Sequence, residues 1–179
     1  MVHIFLADGF EEIEALATVD ILRRANIEVS MVSIMPSKRV IGAHNIAVEA
    51  DILFADADFS QSQMLILPGG MPGTKHLGEH TGLCDLLTDF NNQNGWIAAI
   101  CAAPSVLGKL GLLQGRNAVC YPGFEQFLTK AIVTTDNVMV SNNIITSRGA
   151  GTAIEFALKL VALLKDTQLS NFISQSIIN

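Results

Sequence analysis

Cys101 is the residue of this sequence with the clearest potential for covalent chemistry. It follows the apolar run "WIAAI" (96–100) and precedes "AAPSVLGKLGLL" (102–113), a helix-like segment with a proline in its first turn. A side chain at such a strand-to-helix corner lies beside unpaired backbone N–H groups at the positive end of the helix, and both favour a thiolate. We therefore expect the pKa of Cys101 to fall. The alternative is an inert cysteine in the core.

Glu14 is the acid that could assist this cysteine. At helical spacing its same-side neighbours are Ala17, Thr18 and Ile21. A glutamate held against an apolar sheet edge is protonated more easily than in water. A neutral Glu14 could donate a hydrogen bond to the Cys101 sulfur and carry a proton during a reaction. The preceding acids, Glu11 and Glu12, are expected to be solvated.

The glycine-rich stretch "LPGGMPG" (67–73) follows an apolar run and predicts a tight turn. Gly70 can offer its backbone N–H toward the group that Cys101 attacks, and the Ala102 N–H is the second donor of such an oxyanion hole. Gly69 stands beside Gly70 in the same turn and is a supporting candidate. The stretch lacks the lysine of a phosphate-binding loop, so nucleotide binding is weakly supported.

The composition limits the classes of function. The 179 residues fit one domain, spanning residues 1–179, and half of them are apolar, which is enough for a sizeable core. A net charge of −6, without a basic run, argues against nucleic acid or an anionic membrane as partner. The first residues turn acidic too early for a signal peptide, and no apolar run reaches membrane-spanning length. We expect a soluble cytoplasmic protein.

The other cysteines and histidines predict neither a disulfide framework nor a metal centre. Cys84 and Cys120 complete an odd, widely spaced set of three cysteines. His76 and His80 stand four residues apart, but a glycine lies between them and no third ligand is near in the sequence. We expect Cys84 to have a structural role, whereas Cys120 could face either a pocket or the core. We expect no metal and no cofactor.

Strand-like and helix-like segments alternate along the chain. Predicted strands are "VHIFLA", "EVSMVSI", "MLILPGG", "WIAAI", "NAVCYPG" and further runs within 131–149, with a small hairpin or edge excursion over 40–54. Predicted helices are "FEEIEALATVDILRRA", "GLCDLLTDFNNQ", "AAPSVLGKLGLL", "GTAIEFALKLVALL" and "QLSNFISQSI". In the fourth of these helices, Thr152 and Glu155 have capping-box spacing.

This alternation predicts right-handed βαβ units, a mostly parallel central sheet and helices on both faces. Ligands of such folds bind outside the carboxyl ends of the strands. Three motifs fall at strand ends: "ADGFEEIE", "LPGGMPG" and "AICAAP". Their coincidence predicts a site that contains Glu14, Gly70 and Cys101.

Five segments of the chain, in their order and spacing, resemble the DJ-1/ThiJ/PfpI superfamily, in the branch of small proteins like Parkinson disease protein 7 and its bacterial relatives. They are "DGFEEIEA", "VDILRRA", "LILPGGMPG", "IAAICAAPSVL" and "TSRGAGTAIEFAL". The resemblance covers nearly the whole chain. It implies a flavodoxin-like three-layer sandwich of the class I glutamine amidotransferase type, a homodimer and a reactive cysteine.

The resemblance also implies roles for individual residues. Cys101 stands at the family's nucleophile position, Glu14 at that of the contacting glutamate, and Gly70 and Ala102 at those of the backbone donors. Arg148, in "TSRG", is a supporting candidate that could instead fix the turn. The family's cysteine oxidises readily to a sulfinate. Members convert methylglyoxal to lactate without a cofactor, and release glyoxal-type adducts from amino groups.

The chain departs from the family pattern at three positions. Tyr121 stands where many members carry a histidine, and a phenol is a poor base at neutral pH, so Glu14 would be the only acid and base. His44 replaces an arginine that lies near the dimer contact of relatives. Ala102 follows the cysteine where protease-like members have a histidine, which argues against peptidase activity. No histidine follows His80, which argues against an amidotransferase.

Three functions fit these observations. The first is a cofactor-free glyoxalase- or deglycase-type enzyme, a hydrolase or lyase that acts on small reactive carbonyls through Cys101 in a stress response. The second is a non-catalytic redox sensor or chaperone-like protein whose Cys101 is oxidised under stress. The third is a small-ligand protein of the thiamine pathway, after the ThiJ label, and the lack of a phosphate cradle weakens it.

Overall fold

The computed structural model describes residues 1–179. The strands are β1 (Val2–Leu6), β2 (Val29–Ser33), β3 (Arg39–Ile41), β4 (Ala47–Glu49), β5 (Ile52–Leu53), β6 (Met64–Leu67), β7 (Trp96–Ile100), β8 (Asn117–Ala118), β9 (Ile132–Val133), β10 (Val138–Ser141) and β11 (Ile144–Ser147). The helices are α1 (Glu12–Arg24), α2 (Gly73–Glu79), α3 (Thr81–Asn92), α4 (Pro104–Lys109), α5 (Ala153–Leu164) and α6 (Thr167–Ser176).

The central sheet has seven strands in the order β10-β11-β7-β6-β1-β2-β5. All neighbours pair in parallel except the edge strand β10, which runs antiparallel to β11. The strands β3 and β4 form a separate antiparallel hairpin, and β8 pairs with β9. The predicted mostly parallel sheet and the small hairpin over 40–54 are confirmed.

Alternating side chains of the sheet build two hydrophobic cores. Ile4, Leu6 and Ile66 belong to the core that packs under α1, α5 and α6. Phe5 and Leu65, their neighbours along the strands, belong to the core under α2, α3 and α4. Because successive side chains of a strand point to opposite faces, strands that are apolar throughout are buried from both sides. The result is the predicted sandwich of a sheet between two helical layers.

Three local predictions differ from the structure. The segment "NAVCYPG" forms a strand only over Asn117–Ala118, and α4 ends at Lys109, before the glycine at 111. The capping box at the start of α5 is wrong. Thr152 Oγ1 donates to the Gly149 carbonyl over 2.9 Å, and the Glu155 carboxylate accepts from the Asn137 side chain. Local turn contacts therefore outcompete the cap.

The helices are short relative to a bilayer. None of them combines the length and the apolar character that a membrane crossing requires.

Candidate active site

Cys101 occupies a strained corner between β7 and α4. Its φ is +64°, in the left-handed region that residues other than glycine and asparagine rarely adopt. The corner is held on both sides, because the Cys101 N–H donates to the Ser147 carbonyl over 2.9 Å and the Cys101 carbonyl accepts from the Tyr121 N–H over 2.8 Å. Such strain persists where the surrounding structure enforces it and is concentrated at functional sites.

Glu14 lies in the first turn of α1 and is 1% exposed. Its Oε2 accepts a hydrogen bond from the Gly69 N–H over 2.8 Å, whereas Oε1 is buried without a hydrogen-bond partner. Burial raises the pKa of Glu14 to about 7, against the opposing effects of the Cys101 contact and the Gly69 N–H. The expectation that this carboxyl is protonated more easily than in water is confirmed.

The Cys101 thiol faces this carboxyl and is half-buried. Burial raises the pKa of Cys101 to about 12, and the negative charge and close contact of Glu14 add to the rise. The backbone N–H groups of Ala102 and Gly70 lower the pKa, as expected, but they are outweighed. The predicted fall in this pKa is therefore wrong. The N–H donors at the helix end do lower the pKa, but desolvation of the sulfur and the neighbouring acid raise it by more.

The two glycines of the β6–α2 turn fit the site by their lack of a side chain. A Cβ at Gly69 would lie 2.6 Å from the Cys101 Cβ and 2.7 Å from Glu14 Oε2. Gly70 has a φ of +90°, and a Cβ there would overlap the backbone of Glu11 and Phe10. The turn can therefore approach both the cysteine and the glutamate only with glycine at these positions.

A pocket of about 460 Å³ opens over the cysteine. The residues that line it come from the start of α1, the β3–β4 turn, the β6–α2 turn, the corner between β7 and α4, and the loops that follow β8 and β11. They are Glu11, Ile13, Glu14, His44, Gly70, Met71, Cys101, Ala102, Tyr121, Phe124 and Ala150. The size suits a small substrate, and most of the walls are apolar around a few polar groups, as in many ligand sites.

Glu12 and His44 form an ion pair at the rim of this pocket. Glu12 is 5% exposed, so the expectation that it is solvated is wrong. One carboxylate oxygen accepts from the His44 N–H over 2.7 Å, and the other lies 2.8 Å from His44 Nδ1. The bond to Glu12 raises the pKa of His44, and the bonds from His44 lower that of Glu12 despite its burial. Glu11 lies beside this pair. One possible metal-ligand atom from each of Glu11, Glu12 and His44 lies within 4.8 Å of the other two.

The remaining candidates lie at different distances from the chemistry. Tyr121 is half exposed and lines the pocket, while Cys120 beside it is buried in the core, so the two neighbours do face opposite ways, although neither lies in a strand. Arg148 lines an adjacent cavity of about 300 Å³ and not the Cys101 pocket. The Arg148 N–H donates to the Asn137 carbonyl over 3.3 Å, which fits its alternative role in the turn.

Sequence reasoning missed two features of the site. A Cβ at Gly149 would lie 3.2 Å from the Tyr121 ring and 4.0 Å from Cys101 Sγ, so this glycine stands close to the sulfur while it lines the adjacent cavity. Met71 and Phe124 line the pocket from loops whose course depends on the tertiary fold. For Gly149 the sequence does hold one signal, since a glycine directly after a strand end, as in "TSRG", is typical of a close backbone approach.

Comparisons with known proteins agree with this architecture. The family model described as the DJ-1/PfpI family matches residues 1–163. Protein dj-1beta of Drosophila melanogaster is 37% identical over 159 residues, which are 88% of this chain and 85% of that protein. The glutathione-independent glyoxalase DJR-1.2 of Caenorhabditis elegans is 35% identical over 165 residues, 90% of this chain and 86% of the relative. The structure of oxidized Toxoplasma gondii DJ-1 superposes with a TM-score of 0.95 at 37% identity, covering 99% of this chain and 97% of the other. The chain therefore belongs to the DJ-1/PfpI family.

Proposed function

We propose that this protein is a cofactor-free enzyme that converts small reactive carbonyls, such as methylglyoxal, to hydroxy acids through Cys101 and Glu14. The observation that carries the proposal is the thiol at a strained elbow facing a buried carboxyl whose pKa is about 7. Such a carboxyl can accept and return a proton near neutral pH. The glyoxalase name of the Caenorhabditis elegans relative supports the substrate class.

The first step activates the cysteine with a base. Since burial and Glu14 hold the pKa of the thiol high, the resting form is the neutral thiol. The Glu14 carboxylate takes its proton as Sγ adds to the aldehyde carbon, and the carbonyl electrons move to the oxygen. The N–H groups of Gly70 and Ala102 stabilise that oxyanion. Glu14 then protonates the oxygen and leaves a neutral hemithioacetal.

The second step moves a hydrogen within the adduct. The Glu14 carboxylate removes the proton from the carbon bonded to sulfur, and the electrons pass to the neighbouring ketone as an enediolate. Glu14 returns the proton to the neighbouring carbon, and the hydroxyl proton of the carbon bonded to sulfur passes to the former ketone oxygen, which gives a thioester of the hydroxy acid. Water then breaks the C–S bond, so the aldehyde carbon is oxidised, the ketone carbon is reduced, and the thiol is regenerated without an external oxidant.

A deglycase reaction would use the same groups on a carbonyl carried by an amine. The Cys101 sulfur displaces the amine at the adduct carbon that bears the nitrogen, so the C–S bond forms and the C–N bond breaks, and Glu14 passes the thiol proton to the departing amine. The pocket over Cys101 is open to solvent, so the amine part of such an adduct has room to extend out of it. The exposed side chain of Tyr121 lies at this edge of the pocket.

Loss of the cysteine tests the proposal. The variant Cys101→Ser should lose turnover of methylglyoxal by at least about a thousandfold, since a hydroxyl is a far weaker nucleophile than a thiol under the same base. Cys84→Ser is the matched control, because Cys84 lies on α3 and lines none of the site. Lactate formation, followed by chromatography, reports turnover. Full activity of Cys101→Ser would remove the mechanism.

A redox role is the second candidate, and one observation favours it. The related Toxoplasma gondii DJ-1 has been solved in an oxidized form. In this chain the N–H groups of Ala102 and Gly70 and the carboxyl of Glu14 surround the sulfur, and the same groups could hold sulfinate oxygens. Mass spectrometry after mild peroxide separates the candidates. Two added oxygens on Cys101, together with negligible turnover of ketoaldehydes, would favour the sensor.

A homodimer is part of the same proposal. Apolar side chains stand exposed beside the pocket, among them Ile13 at 58% and Met71 at 52%. A second copy that covers them would also narrow the entrance. Sedimentation velocity of the native chain should give the mass of two chains, and Ile13→Glu should shift it toward one.

A further inference from the structure

A second cavity lies between α2 and α4, on the other side of Met71 and Phe124 from the cysteine. It measures about 410 Å³, within the range of small-molecule sites. Met71 and Phe124 line both cavities, while Cys101 and Glu14 line only the first. The residues that line the second cavity are Met71, Thr74, Lys75, Gly78, Glu79, Ser105, Val106, Lys109, Phe124 and Phe127.

Thr74 lines this cavity and has a buried hydroxyl without a partner in the protein. The residue is 4% exposed, and Oγ1 makes no hydrogen bond. Ser105, also 4% exposed, lines the opposite side from α4. Buried polar atoms are satisfied in most native structures, and an orphan calls for a ligand or another explanation. Because less than 1 Å² of Oγ1 is exposed, the Thr74 side chain must change rotamer before it can donate a hydrogen bond to a ligand, and that bond would then satisfy the hydroxyl.

The charges around the cavity favour an anion. Lys75 and Lys109 line it together with a single acid, Glu79, although the whole chain carries a net charge of −6. The ion pair between Lys75 and Glu79 is long, at 3.9 Å, and both side chains are about two-thirds exposed. Lys109 Nζ lies 5.4 Å from the centre of the Phe127 ring and is bound to no carboxylate. Both ammonium groups are therefore available to a ligand.

The polar groups of the cavity come from two helices. Ser105 and Lys109 are four residues apart on α4 and share one face, and Thr74 precedes Lys75 on α2. Each helix thus contributes one hydroxyl and one ammonium group. The rest of the lining is apolar and partly aromatic, with Val106, Phe124 and Phe127. Such walls suit a flat apolar body attached to the anion.

We propose that this cavity is a binding site for a small arylalkyl carboxylate, distinct from the reactive pocket over Cys101. The carboxylate accepts hydrogen bonds from the hydroxyls of Thr74 and Ser105, with the ammonium groups of Lys75 and Lys109 beside it. The ring lies against Phe124 and Phe127.

Phenylacetate is the probe, and 2-phenylethanol is its neutral counterpart. Titration of the native full chain, followed by amide shifts in nitrogen-resolved NMR spectra, should show saturable binding of phenylacetate with the largest shifts around Thr74 and Ser105. The neutral alcohol should bind at least about tenfold more weakly, since it lacks the charge-assisted hydrogen bonds. Equal binding of the two probes, or shifts confined to the Cys101 pocket, would overturn the proposal.

Two variants test the named groups. Thr74→Val keeps the volume and removes a hydroxyl that bonds to nothing in the protein, so the fold should keep its thermal stability while phenylacetate binding weakens about fivefold. Lys109→Glu should weaken it about tenfold, and Lys159→Glu, an equal change of charge on the exposed side of α5, should not. Unchanged binding in Thr74→Val, or equal losses in the two lysine variants, would contradict the site. Cys101→Ser should bind phenylacetate normally, which separates this site from the proposed reaction.

Discussion

Glu14 is anchored through one oxygen only: Oε2 accepts the Gly69 N–H over 2.8 Å, and Oε1 has no hydrogen-bond partner. An N–H group can only donate, which favours Oε2 as the acceptor and Oε1 as the oxygen that carries the proton of a neutral Glu14. The carboxyl is thus fixed in orientation by the β6–α2 turn and holds its labile proton on the atom left free. This asymmetry suits a group that passes a proton to and from a neighbouring sulfur and its adduct.

The raised pKa of Glu14 makes the stability of the fold depend on pH. Between its ordinary pKa of 4.5 and about 7, the folded chain holds a proton that the unfolded chain has lost. The stabilisation is therefore complete below about 4.5 and is lost as the pH rises through 7. At about 1.4 kcal/mol per pKa unit, the loss amounts to roughly 3 kcal/mol.

Glu14→Gln should remove this loss, because an amide does not titrate. Urea unfolding of the native chain and the variant at pH 4.5 and pH 8 measures it: the native chain should lose roughly 3 kcal/mol relative to the variant across that interval. Glu79→Gln, at an exposed position on α2, should keep the native slope. Parallel pH profiles for the native chain and Glu14→Gln would show that Glu14 is not the group responsible.

A side chain at position 69 should disrupt the site from within. Gly69→Ala places a Cβ 2.6 Å from the Cys101 Cβ, closer than packed carbons approach, so the turn or the elbow must shift. We expect a loss of about 1–3 kcal/mol in the free energy of unfolding, as is typical of overpacking, together with slower alkylation of Cys101. Gly151→Ala is the matched control, because a Cβ there meets nothing within 4 Å. Equal behaviour of the two variants would contradict the close approach.

The ion pair at the pocket rim should be visible in the titration of His44. Its bond to Glu12 raises the pKa above the ordinary 6.5, so the imidazolium persists to higher pH than in an isolated histidine. Its contribution to stability is present below 6.5 and is lost as the pH rises through the folded pKa. Proton NMR should show the ring of His44 titrating above 6.5 in the native chain and closer to 6.5 in Glu12→Gln. An unchanged midpoint in that variant would rule the pair out.

Much of the fold follows from patterns that the sequence displays locally. The apolar strands, the helices between them and the position of the corner at Cys101 are readable because burial from both faces removes polar residues from β1, β6 and β7. Short elements were harder. The strand predicted across "NAVCYPG" ends at Ala118, where the next N–H, of Val119, donates to the Thr146 hydroxyl instead of a strand carbonyl.

The electrostatics of the site depend on contacts that spacing does not reveal. The burial of Glu12 requires the hairpin β3–β4 to bring His44 over the start of α1, a contact across 32 positions of the chain. Likewise, the direction of the pKa shift of Cys101 reflects a balance between burial, Glu14 and two N–H donors. The sequence identifies these groups but not the sizes of their effects on the pKa of Cys101, so it predicts a resting thiolate.

The central claim is that Glu14 acts as the base that activates the Cys101 thiol, and the pH dependence of Cys101 alkylation tests it most directly. Iodoacetamide labelling of the native chain and of Glu14→Gln, resolved by mass spectrometry, should give a midpoint near 7 for the native chain, where Glu14 loses its proton. In Glu14→Gln the midpoint should rise well above the ordinary thiol value of about 8.5, because burial still raises the pKa of the thiol and no base remains beside it. Identical midpoints in the two proteins would contradict the account.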